Sequence, residues 1–166
     1  MIWSEACKKK WINPSTLEEA VSKLKRQSKR IVTLNGSFDL MHAGHLYIIY
    51  EAKKQGDILI VALNSDISIQ RYKSPHRPIV TLQYRLELMS ALEFVDYVTW
   101  FDETDPRELL KKIRPDVHVN GIEYGTNCIE AQTVQECGGK IHLVDRIDGL
   151  STSEILTKIL KLPSLK

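Results

Sequence analysis

No stretch of this chain is long and apolar enough to be read as a membrane span. The longest unbroken apolar run, Ile58 to Leu63, has six residues, against the ~20 that a spanning helix needs. The opening residues, MIWSEACKKKW, lack the apolar core of a signal peptide. A cytoplasmic location is therefore expected, with no membrane partner. Cysteine is scarce. Cys7, Cys128 and Cys137 form no CxxC pair, and an odd, sparse set suits free thiols in a reducing compartment better than a disulfide framework. Neither GxGxxG nor GxxxxGK[ST] occurs, which argues against a dinucleotide oxidoreductase and a P-loop kinase. Internal repeats and low-complexity tracts are also missing.

What is present is ordinary for a globular protein: 166 residues, 43% hydrophobic and 27% charged. A chain of this length folds as one domain, or one domain with an appendage, and buries on the order of 70% of its unfolded surface without staples. The net charge of +2 is uneven. Residues 1–30 hold eight Lys/Arg and three Asp/Glu, a net +5, and the remainder is −3. No aromatic interleaving or nucleic-acid motif accompanies that basic arm, so it reads as a solvated helix face and no nucleic-acid partner is expected.

From residue 30 onward, short β-rich runs alternate with helical periods. Ile31–Leu34, Ile58–Leu63, Tyr97–Phe101, Val117–Val119 and Ile141–Val144 read as five strands. Unbroken apolar strands imply a sheet covered on both faces, which is the parallel case, and spacings of about 20–40 residues leave room for crossover helices. The fold class is α/β with a doubly wound, parallel five-stranded sheet. Asp105-Pro106-Arg107-Glu108 reads as an N-cap with proline at the first helical position, stopped at Pro115. Ser15 with Glu18, and Ser151 with Glu154, read as two further capping boxes. Leu17, Ala20, Val21 and Leu24 then give a leading amphipathic helix. The expected division is a helical segment, 1–29, packed on a main domain, 30–166.

In such sheets ligands lie beyond the carboxyl ends of the strands. After the first strand comes Asn35-Gly36-Ser37-Phe38-Asp39-Leu40-Met41-His42-Ala43-Gly44-His45. A helix starting near Ala43 places His42 and His45 on one face at its N-terminus, where backbone N–H groups favour an anion and Gly44 allows close approach. That arrangement suits phosphoryl chemistry. Metal ligation is the other use of such a pair, but no third ligand is near in sequence, so no metal-binding residue is assigned. Asn64-Ser65-Asp66 follows the second strand and serves either a ligand or a helix cap. The basic stretch 71–78, with Lys73 and Arg77, either clamps an anion or is a solvated loop, and Arg85 either joins it or points outward. Gly149-Leu150-Ser151-Thr152-Ser153 opens a helix after the fifth strand, a second anion site as well as a cap.

Gly36-Ser37-Phe38-Asp39 with His42-Ala43-Gly44-His45, and then Ser151-Thr152-Ser153, resemble the two signatures of the cytidylyltransferase-like nucleotidyltransferases. Residues 20–160 resemble one branch, the bacterial D-glycero-β-D-manno-heptose 1-phosphate adenylyltransferases in their stand-alone form. That likeness is carried by Gly56-Asp57, Val61 to Asp66, Arg77-Pro78, Arg85, Ala91-Leu92-Glu93, Val95-Asp96, Pro115-Asp116 and Gly138-Gly139. The resemblance implies a Rossmann-like fold with an HxGH motif. It implies transfer of AMP from ATP, with Mg²⁺, to a sugar 1-phosphate for surface glycan synthesis, in a homodimer. His42, His45 and Thr152 would be catalytic. Asn35, Gly36, Ser37, Phe38, Gly44, Asn120, Gly121, Tyr124, Gly149, Leu150, Ser151 and Ser153 would join them on the nucleotide. Asp39, Asn64, Ser65, Asp66, Lys73, Arg77 and Arg85 would meet the acceptor. Asn120-Gly121-Ile122-Glu123-Tyr124 departs from the branch's usual Lys-Gly-Gly-Asp-Tyr, and Gln70 stands where lysine is frequent. The alternative is therefore a glycerol 3-phosphate or other polyol-phosphate cytidylyltransferase using CTP.

Overall fold

The computed structural model describes residues 2–147 and 149–163. Helix α1 (Trp3–Lys8), a 3-10 turn (Pro14–Thr16) and α2 (Leu17–Lys25) lead into β1 (Ile31–Gly36). Then follow α3 (Ala43–Lys53), β2 (Ile58–Asn64), α4 (Asp66–Tyr72), α5 (Leu82–Ser90), β3 (Tyr97–Phe101), α6 (Arg107–Ile113), β4 (Val117–Gly121), α7 (Ala131–Glu136), β5 (Lys140–Val144) and α8 (Thr152–Leu160). Another 3-10 turn, Ile122–Tyr124, follows β4. The five strands pair in the order β3-β2-β1-β4-β5, all parallel. This is the expected doubly wound, Rossmann-like sheet, and its strand order reverses between β1 and β4. Among the described residues no helix is long and apolar enough to cross a membrane.

Alternation along the strands divides the core. Val32, Leu34, Leu59, Val61, Val117 and Val119 face α3 and α5 through Ile49, Ala52, Leu86 and Met89. Ile31, Ile58, Ile60 and Ala62 face α2 and α6 through Leu17, Val21, Leu24, Leu109 and Ile113. The leading helix therefore contributes to the core. Trp11 adds a bridge to Val98 at the edge of β3, and its indole donates to the Ser90 hydroxyl at 2.8 Å.

Two helix starts differ from expectation. Ser15 does not open the leading helix. Asn13 accepts from the Ser15 backbone N–H and caps a 3-10 turn, with α2 beginning at Leu17. Pro106 precedes α6 rather than occupying its first turn, although the Asp105 carboxylate still accepts from the Arg107 N–H at 3.1 Å. In both cases the capping side chain sits two residues before the N–H it meets, an Asx-type turn that competes with the longer capping box.

His118 is buried in mid-strand. Its Nδ1 lies 2.8 Å from the Thr33 hydroxyl on β1, and its Nε2 has no partner among the described residues. Burial pushes its pKa down to about 3. The ring is thus neutral in the folded chain and protonated in the unfolded chain across the interval from pH ~6.5 down to about 3. Folding stability is fully present above pH ~6.5 and is lost as pH falls through that interval. Between pH 6.5 and 4.5 the loss from this ring is on the order of 2–3 kcal/mol, at ~1.4 kcal/mol per unit. Urea midpoints at the two pH values should therefore fall less in His118→Leu than in the wild type. An equal fall in both would show that the ring does not stay neutral.

Candidate active site

The chain turns sharply after β1. Phe38 takes a left-handed backbone (φ 45°), an uncommon conformation that costs about 1–3 kcal/mol. The turn buries the Phe38 ring against the His45 imidazole, with centroids 5.3 Å apart. A side chain at Gly36 would have its Cβ 3.0 Å from the Phe38 ring, so the glycine makes room for the phenyl group.

His42 and His45 cap α3 reciprocally. The Gly44 N–H donates to His42 Nδ1 at 3.2 Å, and the His42 N–H donates to His45 Nδ1 at 3.3 Å. With both Nδ1 atoms accepting, each neutral ring carries its proton on Nε2 and keeps that donor for a ligand. A Cβ at Gly44 would lie 3.0 Å from the His42 ring. The glycine therefore admits the folded-back imidazole, whatever else approaches its backbone. The ring centroids are 4.0 Å apart. Burial, the neighbouring His42 and Lys73 push the His45 pKa down to about 4. Burial, then Arg146, lowers that of His42. The pair is neutral at pH 7, and an arriving polyanion meets two N–H donors.

Two cavities flank the histidines at the carboxyl ends of β1 and β4, the reversal point of the sheet. The smaller, about 230 Å³, lies toward β5 and α8 and includes Ile48, Val144, Arg146, Leu150, Ser151 and Thr152. The larger, about 470 Å³, lies toward β2 and includes Ser37, Asn64, Lys73, Asn120, Tyr124 and Glu130. His45, Ile48, Gly121, Glu123 and Thr152 line both. Ser151 caps α8 by accepting from the Glu154 N–H at 3.1 Å, so the N-terminus of a nine-residue helix opens opposite the histidines.

The expected residues separate by position. Asn35, Gly36, Ser37, Phe38, Asn120 and Tyr124 line the larger cavity, Leu150 and Ser151 the smaller. Gly149, with φ 77°, turns the chain into α8, and Ser153 lies exposed on that helix. Among the residues expected at the acceptor, Lys73 and Asn64 face the larger cavity, and Lys73 donates to the Ser37 hydroxyl at 2.9 Å. Asp39, Ser65, Asp66, Arg77 and Arg85 line neither cavity and are engaged inside the fold. Burial opposes the Asp39 charge, but the Val80 and Ile79 N–H groups and Arg77 outweigh it and hold the carboxyl below its usual value. Ser65 caps α4. Arg85, fully buried, donates to the Val80, Ser37 and Asn64 carbonyls and to the Asp66 carboxylate.

A family model described as Cytidylyltransferase-like matches residues 33–159. The chain belongs to this family. It is 40% identical over 146 residues to the Bifunctional protein HldE of Syntrophotalea carbinolica, a match covering 87% of this chain and 30% of that protein. A second match, to the Bifunctional protein HldE of Alcanivorax borkumensis, is 42% identical over 141 residues, 84% of this chain and 30% of that protein. The chain thus spans about 30% of the length of the curated relatives it matches. The solved lipopolysaccharide core biosynthesis protein of Thermoplasma volcanium superposes with a TM-score of 0.57 at 30% identity, over 72% of this chain and 97% of that one. The pantoate-β-alanine ligase of Francisella tularensis, at 15% identity and a TM-score of 0.58, covering 92% of this chain and 78% of that one, shares the fold.

Within this family member, the charged residues of the cleft that escape a reading of the sequence include Arg146, Glu123, Asp145 and Glu130. Arg146 lies in an exposed irregular segment and Glu123 in the exposed 3-10 turn after β4, and both line the smaller cavity. Glu130 is buried beside Asn120, which donates to it at 3.3 Å. Glu130 and Arg146 stand in no periodic pattern or motif, and Glu123 falls where the resembled branch carries aspartate. Only the rule that ligands gather past the strand ends would single out Glu123 and Arg146, which follow β4 and β5. Cys128 adjoins the same wall, and burial raises its thiol, so it stays protonated.

Proposed function

We propose that this chain transfers AMP from ATP to a sugar 1-phosphate such as heptose 1-phosphate, releasing pyrophosphate, for ADP-heptose and surface glycan synthesis. The observation that carries this reading is the reciprocal histidine cap facing the N-terminus of α8 across the reversal point of the sheet. It gathers Nε2 donors, backbone N–H groups and hydroxyls where a triphosphate can be held from two sides. In this reading the smaller cavity takes the nucleoside and the larger takes the acceptor, its phosphate against Lys73, so Asn35, Gly36, Ser37, Phe38, Asn120 and Tyr124, expected on the nucleotide, are reassigned to the acceptor side.

A phosphate acceptor is already anionic near neutral pH, so no general base is needed. Its oxygen attacks the α-phosphorus in line as pyrophosphate leaves. Neutral His42 and His45 donate to the equatorial oxygens as their charge grows, and Thr152 with the α8 N–H groups holds the leaving phosphates. Among the described residues no three His, Cys, Asp or Glu side chains gather to cage a metal ion. This donor set fits a Mg²⁺ ligated chiefly by phosphate oxygens and water, where it would neutralise phosphate charge. The reading also includes a homodimer, checked by sedimentation.

The test is pyrophosphate release with each of ATP, CTP, GTP and UTP against sugar 1-phosphates and polyol phosphates. Turnover is expected with ATP and heptose 1-phosphate. Turnover restricted to CTP and a polyol phosphate would replace this reading, and nucleotide binding with no release in any pairing would leave a binding module. The two α8 hydroxyls should separate in the same assay. Thr152→Ala should weaken ATP binding about tenfold, the scale of one charge-assisted hydrogen bond, with the melting temperature nearly unchanged. Ser151→Ala should also cost ~1 kcal/mol of stability, the usual loss of an N-cap. Unchanged ATP affinity in both variants would reduce the motif to a cap.

A further inference from the structure

Glu130 presents a physical problem. It is only 6% exposed, yet none of the ion pairs among the described residues involves it. Its side-chain partners among the described residues are the Asn120 amide, at 3.3 Å, and the weakly donating Cys128 thiol. It stands at the N-cap position of α7 but its side chain does not cap that helix. The carboxylate instead lines the larger cavity. A buried charge with so little compensation is costly and is retained where it meets something from outside the fold.

A second feature of the same wall points the same way. Asn35 Oδ1 is buried with no hydrogen-bond donor from the described residues, and Asn35 lines the cavity too. Leu34 and Val119 are the last pair in the β1–β4 register. Asn35 and Asn120 each come one residue later, so alternation sends both to the face opposite Leu34 and Val119. Two amides and one carboxylate thus converge at the open end of adjacent strands, and Lys73 lines the same cavity.

We propose that Glu130, with Asn120 and Asn35, reads hydroxyl groups of the acceptor and selects a polyhydroxylated phosphate. This rests on the nucleotidyl-transfer reading above and adds a residue that decides which acceptor is used. Hydroxyls are neutral donors, and a carboxylate can accept from two of them at once. A bare anion would be repelled by Glu130 and drawn to Lys73, so the pair also fixes which end of the acceptor points to the reacting nucleotide. A cation is the poorer occupant, because no metal-holding cluster of three acidic, imidazole or thiol groups exists among the described residues. A site built to accept from a hydroxyl rejects the analogue that lacks it, because its own buried acceptors are then left unpaired.

The experiment is steady-state kinetics on the full chain by pyrophosphate release, with ATP, heptose 1-phosphate and its monodeoxy analogues, for wild type, Glu130→Ala and Glu130→Gln. In Glu130→Ala the KM for the acceptor should rise at least ~10-fold, the scale of a lost hydrogen bond to a charged group. The KM for ATP should stay within ~2-fold. Glu130→Gln, which keeps one acceptor oxygen, should fall between the two for the acceptor. Its melting temperature should hold or rise, because an unpaired buried charge has been removed. One monodeoxy analogue should be a poor substrate for the wild type, and Glu130→Ala should no longer discriminate against it. An unchanged acceptor KM, an effect on ATP alone, or a fall in melting temperature with both KM values raised would overturn the proposal. If the wild type turns over no acceptor from the wider panel, the nucleotidyl-transfer reading itself fails and this inference with it, a result distinct from the other three.

Discussion

Replacing His45 with alanine lowers kcat by at least ~100-fold, the effect of removing one preorganised donor from a developing oxyanion. His42→Ala does the same. The two rings have a second role that a kinetic measurement alone would confuse with the first. Each accepts a backbone N–H at the start of α3, so alanine at position 42 also costs ~1 kcal/mol of stability. At this chain length that is roughly 2–4 °C in melting temperature. Asparagine is a good N-cap but offers no Nε2 donor in the same place. His42→Asn should therefore keep its melting temperature and still lose rate. Near-normal turnover in His42→Asn and His45→Ala would end the catalytic assignment. The pH profile is a further check. His45 titrates at about 4 in the free chain, so kcat/KM for the nucleotide should show no limb near pH 6.5 that His45→Ala abolishes. Such a limb would mean that the ring ionises in its ordinary range and is not held neutral by burial.

The sheet was legible because its strands are unbroken apolar runs. Val61, Ala62 and Leu63 leave no doubt about burial on both faces, and the structure moved the strand ends by only one or two residues. The histidines were legible because position matters at a helix start, and a spacing of three puts two rings on one face. Their mutual capping was not legible, since it depends on each ring folding back over the first turn, and Gly44 allows this only through its missing side chain. The polar residues after the strands were the hardest to read. Composition makes Asp39, Asp66, Arg77 and Arg85 look like ligands for an anion. All but one of their partners lie 19 to 48 residues away in sequence, and no local pattern encodes such pairings. Glu130 shows the converse. It stands in an irregular stretch outside any pattern, and only the packing of α7 against α6 and β5 encloses it.

Arg85 carries the largest expected effect on stability. Its guanidinium joins three segments: the turn after β1 through the Ser37 carbonyl, the end of β2 through the Asn64 carbonyl and the start of α4 through Asp66. It also closes its own loop on the Val80 carbonyl. Truncating a buried charged group that satisfies several acceptors costs about 3 kcal/mol or more, because the acceptors stay behind without donors. Arg85→Ala should lower the melting temperature by roughly 6–12 °C. Arg85→Lys should lose much of the same stability. One ammonium can donate three bonds from a single point, but it cannot span the fork that reaches four acceptors. The functional consequence follows from what is being held. Ser37 and Asn64 both line the larger cavity, so loosening their backbones should raise the acceptor KM and lower kcat together. A direct ligand would behave differently. If Arg85→Lys kept its melting temperature while the acceptor KM rose, the guanidinium would be reaching substrate, and its burial in the fold would open on binding. Loss of stability and activity together, in both variants, is the signature of a residue that acts by positioning the cleft.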